Sequence, residues 1–120
     1  MKTTPEHDLK IAQLKFSSVY PHYVQKVTKK GRTEAELLQV IHWLTGFDEN
    51  MLNYIKDQQW TYEEFFAKAT LHPHCTKITG VICGYKIQEI ETPLTRNVRY
   101  LDKLVDELAK GKPLDKILRK

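Results

Sequence analysis

Long apolar runs are missing from this 120-residue sequence. None approaches the roughly 20 apolar residues that a membrane-spanning helix needs, so no membrane partner is expected. Met1 to Lys15 lacks an apolar stretch followed by small residues, which argues against a secretory signal. Cysteine is scarce as well. Cys75 and Cys83 are the two present, and their spacing matches no metal-binding pattern. Reduced thiols in a cytoplasm are the default expectation for such a pair. Glycine and proline number five each, which is too few for a low-complexity or wholly disordered chain. A chain of this length buries roughly two-thirds of its unfolded surface without metals or disulfides.

Reactive signatures are absent too. The sequence holds no Gly-x-Ser-x-Gly elbow, no phosphate-cradling glycine loop and no His-Glu-x-x-His zinc motif. Glu63 with Glu64, and Glu89 with Glu91, are adjacent or alternate, so neither pair shares a helix face for acid–base work. No catalytic residue and no cofactor are expected.

What is present is helical periodicity. Leu94, Val98, Leu101, Val105 and Leu108 draw one apolar stripe through the last quarter of the chain, widened by Leu104. Thr92-Pro93 starts this helix and Gly111 stops it. Shorter helices precede it. Residues 1–8 read as a frayed end, and Leu9, Ile11, Ala12 and Leu14 as one or two amphipathic turns. Ser17 or Ser18 suits the start of a second helix that tolerates Pro21 near its beginning. Thr33 with Glu36, and Thr61 with Glu64, fit capping boxes, and Asp48 suits a third start between them. Gly46 is an expected stop. Leu114, Ile117 and Leu118 form a last short helix.

Residues 76–91 are two-sided. Ile78, Val81, Ile82 and Tyr85 have helical spacing, while Thr, Ile, Val and Tyr also favour strands and Gly80 and Gly84 weaken a helix. Strict alternation is lacking, so the periodicity predicts helix here. Taken together, the pattern predicts an all-α fold: a single compact domain of about six helices packed around a long C-terminal helix. Residues 1–14 would be an N-terminal arm, with a short helix in it, and 15–120 the helical domain.

Charge is uneven. Residues 1–32 carry a net +5, residues 33–93 a net −5 and residues 94–120 a net +4. An acidic middle between basic ends predicts internal complementarity more simply than a uniform nucleic-acid surface. The best binding candidates are nevertheless basic and aromatic: Tyr20, Tyr23, Lys26, Lys29, Lys30 and Arg32, a set that can hold phosphates and stack bases. Core contact is the plainer reading for the two tyrosines, which share a face with Val24 and Val27. A helix-turn-helix reading through Gly46 fails, because Asp48, Glu49 and Asp57 outnumber Lys56 on its recognition helix. His72, His74 and Cys75 supply two imidazoles and a thiol. Zinc wants four ligands, or three with water, and no second cluster follows. Cys83 lies among Val81, Ile82 and Gly84 and reads as core packing.

Four phrases carry a resemblance. They are Ser18-Val19-Tyr20-Pro21 leading to Lys30-Gly31-Arg32-Thr33; Trp43-Leu44-Thr45-Gly46-Phe47; Ile78-Thr79-Gly80-Val81-Ile82-Cys83-Gly84; and Arg99-Tyr100-Leu101-Asp102-Lys103-Leu104 continuing to Lys112. In this order they resemble the small bacterial domain-of-unknown-function family numbered twenty-two hundred. The resemblance implies no activity, cofactor or catalytic residue, and the His72–Cys75 cluster lies outside the shared pattern. The expectation is a cytoplasmic, non-enzymatic binding or interaction module, for which a homodimer is one natural form. Trp43, Phe47, Trp60 or Tyr100 would supply its apolar patch. The alternatives are binding of nucleic acid or an acidic partner through the basic segments, and an enzyme with a site assembled across helices.

Overall fold

A computed structural model of the chain describes residues 3–120. The predicted stripe becomes α6, Pro93–Ala109, a rod about 26 Å long. Val98, Leu101, Leu104, Val105 and Leu108 are all buried along it. Thr95, Tyr100, Glu107 and Ala109 are buried as well, so more than one stripe of α6 is covered. The reason is that α6 has neighbours on several sides, which together make the fold mostly α.

Those neighbours start and stop where local chemistry dictates. α3 (Glu34–Thr45) opens on the Thr33/Glu36 capping box and closes at Gly46 with φ 79°. α4 (Glu49–Asp57) is capped by Asp48, whose carboxylate accepts from Met51 N. α5 (Tyr62–Lys68) opens on the Thr61/Glu64 box. A short α7, Leu114–Ile117, folds back against α6 and α3.

The first two helices differ from expectation. α1 spans Pro5–Gln13, so half of the stretch read as a frayed end, Pro5 to Asp8, is helical; Met1 and Lys2 lie outside the described residues. Thr4 caps it by accepting from His7 N. The next helix, α2, runs Phe16–Thr28 and starts ahead of both serines. A bridge between Lys15 and Thr61 replaces the side-chain cap: Phe16 N donates to Trp60 O and Tyr62 N to Leu14 O. Pro21 consequently sits inside α2, where it deletes one backbone bond.

Residues 76–91 are a correction. No α-helix forms there. A 3-10 helix, Pro73–Lys77, is followed by a hairpin of β1 (Val81–Ile82) and β2 (Tyr85–Lys86), then a 3-10 turn at Ile87–Glu89. Val81 pairs with Lys86 and Ile82 with Tyr85. The two residues between the strands, Cys83 and Gly84, have φ of 53° and 82°, as a type I′ turn requires. β-branched and aromatic residues flanking a positive-φ pair outweigh the helical spacing. Cys83 is exposed at the hairpin tip, contrary to its reading as core.

One contiguous core joins these elements, with Phe16, Leu37, Ile41, Leu44, Ile55, Phe65 and Leu101 fully enclosed. Phe16 and Phe65 stack at 4.8 Å between centroids, tying α2 to α5.

Candidate functional site

α6 carries Arg99 and Asp102 one turn apart on the face turned toward α1 and α2. Their spacing suggests an ordinary surface pair, and they do meet, at 2.9 Å. Yet the two side chains are only 12% and 19% exposed. Packing of α1, α2 and α5 around this end of α6 takes the pair off the surface.

A tyrosine from each of two other helices completes the arrangement. Tyr23 of α2 donates to Asp102 Oδ1 at 2.9 Å. The hydroxyls of Tyr23 and Tyr62, the latter at the start of α5, lie 2.5 Å apart. A phenol has one proton, and Tyr23 commits its own to the carboxylate, so Tyr62 donates to Tyr23. A directed chain results, from Tyr62 through Tyr23 to Asp102, with Arg99 on the other carboxylate oxygen. Burial, reinforced by Tyr62 and Asp102, pushes the Tyr23 phenol well above its ordinary pKa. Burial also pushes Tyr62 up, against the lowering effect of its bond to Tyr23. Both phenols are therefore neutral hydrogen-bonding groups at ordinary pH, and neither is a base.

This network borders a cavity of about 290 Å³. α1 contributes His7, Lys10 and Ile11, and Leu14 follows at its C-terminal cap; α2 adds Val19 and Tyr23; Val98 stands beside Arg99 and Asp102 on α6. Apolar side chains thus face a polar cluster, the usual make-up of a ligand pocket. Arg99 Nη2 points to His7 Nε2 at 3.3 Å, and the Tyr85 ring of the hairpin covers the guanidinium at 5.4 Å. Arg99 Nε is buried and has no partner among the described residues.

α1 is held over this cavity by a clasp. Asp8 accepts from Thr95 at 2.6 Å, from Thr92 at 2.8 Å and from Thr3 at 2.5 Å. Burial raises the Asp8 carboxyl, but the three hydroxyls and His7 outweigh it and hold the pKa below the ordinary value. Thr92, the expected cap of α6, spends its hydroxyl on Asp8 rather than on its own helix.

The residues singled out from the sequence are scattered by comparison. Tyr20 is buried, donates to Glu34 at 2.6 Å and has Lys56 over its ring. Tyr23 belongs to the network above. Arg32 donates to the carbonyls of Leu108 and Lys112 and pairs with Glu36 at 2.8 Å, fastening α3 to the end of α6. Lys26 pairs with Asp106 at 3.2 Å across to α6, beside exposed Lys30. Lys26–Asp106 joins the two basic ends of the chain to each other, while Arg32–Glu36 joins a basic end to the acidic middle.

His72 lies under Trp43, with ring centroids 4.3 Å apart, and its Nδ1 accepts from His74 N. Cys75 is buried, which raises its thiol pKa. Among the described residues no group of three or more His, Cys, Asp and Glu side chains is placed to hold a metal. Phe47 and Tyr100 are buried, while Trp43 and Trp60 are half-buried against the core.

His7, Lys10, Tyr62 and Asp102 escaped the sequence reading as members of a site. The one usable signal was that Asp102 and Arg99 flank the α6 stripe instead of opposing it. Among the described residues no helix is long and apolar enough to cross a membrane.

Known proteins add a fold and a family. The crystal structure titled "uncharacterized protein SP1917" superposes with a TM-score of 0.85 at 42% identity, covering 91% of this chain and 90% of that one. No curated protein matches the chain. Residues 10–119 match the family described as an uncharacterized protein conserved in bacteria, DUF2200, and the chain belongs to that family.

Proposed function

We propose that this protein is a cytoplasmic, non-enzymatic binding module that takes a small molecule into the cavity between α1, α2, α5 and α6. The observation that carries this reading is the pairing of apolar walls with one directed polar chain, Tyr62–Tyr23–Asp102–Arg99. Neutral phenols and an engaged carboxylate suit recognition rather than proton abstraction. A fragment mixture followed by amide chemical shifts tests it. Perturbations should gather at Ile11, Leu14, Val19 and Val98. Leu14→Trp, at a partly exposed wall position, should fill the space and remove them with the fold intact. Binders that perturb only other surfaces would overturn the reading.

A second reading rests on the hollow of about 320 Å³ where Lys26, Lys30 and Lys110 surround Asp106. Three ammonium groups around one carboxylate leave a local positive excess that suits an acidic partner or nucleic acid. Affinity for a short single-stranded DNA should then fall steeply with salt and drop in Lys30→Gln. Tyr20, Tyr23 and Arg32 are turned inward and take no part in it.

A further inference from the structure

We infer that the ligand of the α1/α2/α6 cavity is a small organic anion, a carboxylate on a short apolar body, and that Arg99 receives the carboxylate. The inference rests on the cavity reading above and names what the cavity selects.

Arg99 is the least satisfied group on the cavity wall. A guanidinium has five N–H donors and no acceptor. Nη1 donates to Asp102 Oδ2, and Nη2 donates to His7 Nε2. Nε–H is sealed from solvent with no partner among the described residues, so it does not open onto the space. Nη1 and Nη2 each carry a second N–H, and these are the donors left for an acceptor that enters the cavity. An ionised oxygen answers an arginine best, and a carboxylate also matches the planar spacing of its N–H groups.

The surroundings favour an anion over a cation. Asp102 accepts from Tyr23 on one oxygen and is already paired with the Arg99 guanidinium on the other, so its charge is offset before a ligand amine arrives. Lys10 of α1 lies on the cavity wall with no ion pair to a described carboxylate, which leaves the local formal balance positive. Tyr85 packs on both Arg99 and His7, at 5.4 Å and 5.8 Å, and keeps the guanidinium from swinging away. At about 290 Å³ the space stands at the small end of ligand pockets, so the apolar body is the size of one ring or a short branched chain. Ile11, Leu14, Val19 and Val98 provide its wall.

Three probes of one shape separate the outcomes on the full chain: benzoate, benzamide and benzylamine. Titrations followed by amide shifts and by the Arg99 Nη–H resonances should show benzoate binding about tenfold tighter than benzamide, with the Nη–H signals moving on benzoate addition. Lys10→Gln, at an exposed position, should weaken benzoate a few-fold and flatten its salt dependence while benzamide is unchanged. Arg99→Lys should remove most of the preference for benzoate. Equal binding of benzoate and benzamide inside the cavity would overturn the anion assignment and leave the cavity reading standing. Preference for benzylamine would overturn it in favour of Asp102. No cavity shift with any probe would overturn both.

Discussion

At the C-terminal end of α6, Glu107 receives the fork of Arg119 at 2.6 and 2.7 Å and Lys112 at 3.3 Å, while Arg32 closes on the carbonyls of Leu108 and Lys112. About two turns earlier on the same helix, Arg99 makes two hydrogen bonds from its five N–H donors and borders an open cavity. Both ends carry an arginine, a carboxylate and a lysine. The Glu107 cluster is saturated; the Arg99 cluster keeps donors in hand beside a cavity. Saturation makes a clamp, since each buried charge has its partners and removing any one leaves another exposed to a low-dielectric surrounding. An unmet donor with room in front of it makes a site.

The largest way to break this contrast is at the clamp. Arg119→Leu removes both prongs of the fork and leaves Glu107, whose side chain is 10% exposed, with Lys112 alone; it should cost about 3 kcal/mol. Urea denaturation should show a lower midpoint at unchanged slope. A change below about 1 kcal/mol would mean that the clamp is no more than a surface pair.

Next in size is the polar floor of the site. Tyr23→Phe removes the donor to Asp102 and the acceptor of Tyr62 together, and should cost about 2 kcal/mol; Tyr62→Phe removes a single bond and should cost about 1 kcal/mol. The reverse order in thermal or chemical unfolding would contradict the direction assigned to the chain of phenols.

Acid sharpens the comparison further. Arg32 hydrogen bonds and the Thr33 backbone lower Glu36 to about 2. Burial raises Asp106, but Lys110 and Lys26 outweigh it and hold it below the ordinary value; Asp8 is likewise held low. Each titrates lower in the folded chain than in the unfolded one. Each therefore contributes stability above the ordinary carboxylate pKa and loses it as pH falls through the depressed value. For Glu36 that window runs from 4.5 down to about 2. Asp8→Asn should raise amide exchange in α1 several-fold at neutral pH and leave α7 unchanged. Equal loosening of both helices would show that the two ends of α6 are one cooperative unit.

The smallest effect belongs to the hairpin that carries Tyr85 onto Arg99. Cys83 occupies a positive-φ position that Asn tolerates better, so Cys83→Asn should gain about 0.5 kcal/mol. A loss instead would mean that the Cys83 side chain makes a favourable contact at the tip.

Much of the fold was legible because its signals are short-range. Thr33 and Glu36, Thr61 and Glu64, Asp48 and Gly46 all act within a few residues of the helix ends that they set. The hairpin was misread because Ile78, Val81, Ile82 and Tyr85 satisfy helical spacing as well as strand preference. Only the positive φ of Cys83 and Gly84 separates the two. The start of α2 was misplaced since its first N–H is met by Trp60 O, a partner no local rule anticipates. Tyr23 was noticed, but as a stacking ring near lysines and not as part of a buried chain.

By itself, then, the sequence determined where α3, α4, α5 and α6 begin and which face of α6 lies inward, because caps and stripes are written in neighbouring residues. Only the tertiary structure decided that Tyr23 meets Tyr62 and Asp102, partners 39 and 79 positions away, and that Arg99 keeps donors in hand. The physical reason is that hydrogen-bond partners are chosen by whatever packing brings within about 3 Å, and that choice is made between helices rather than along one.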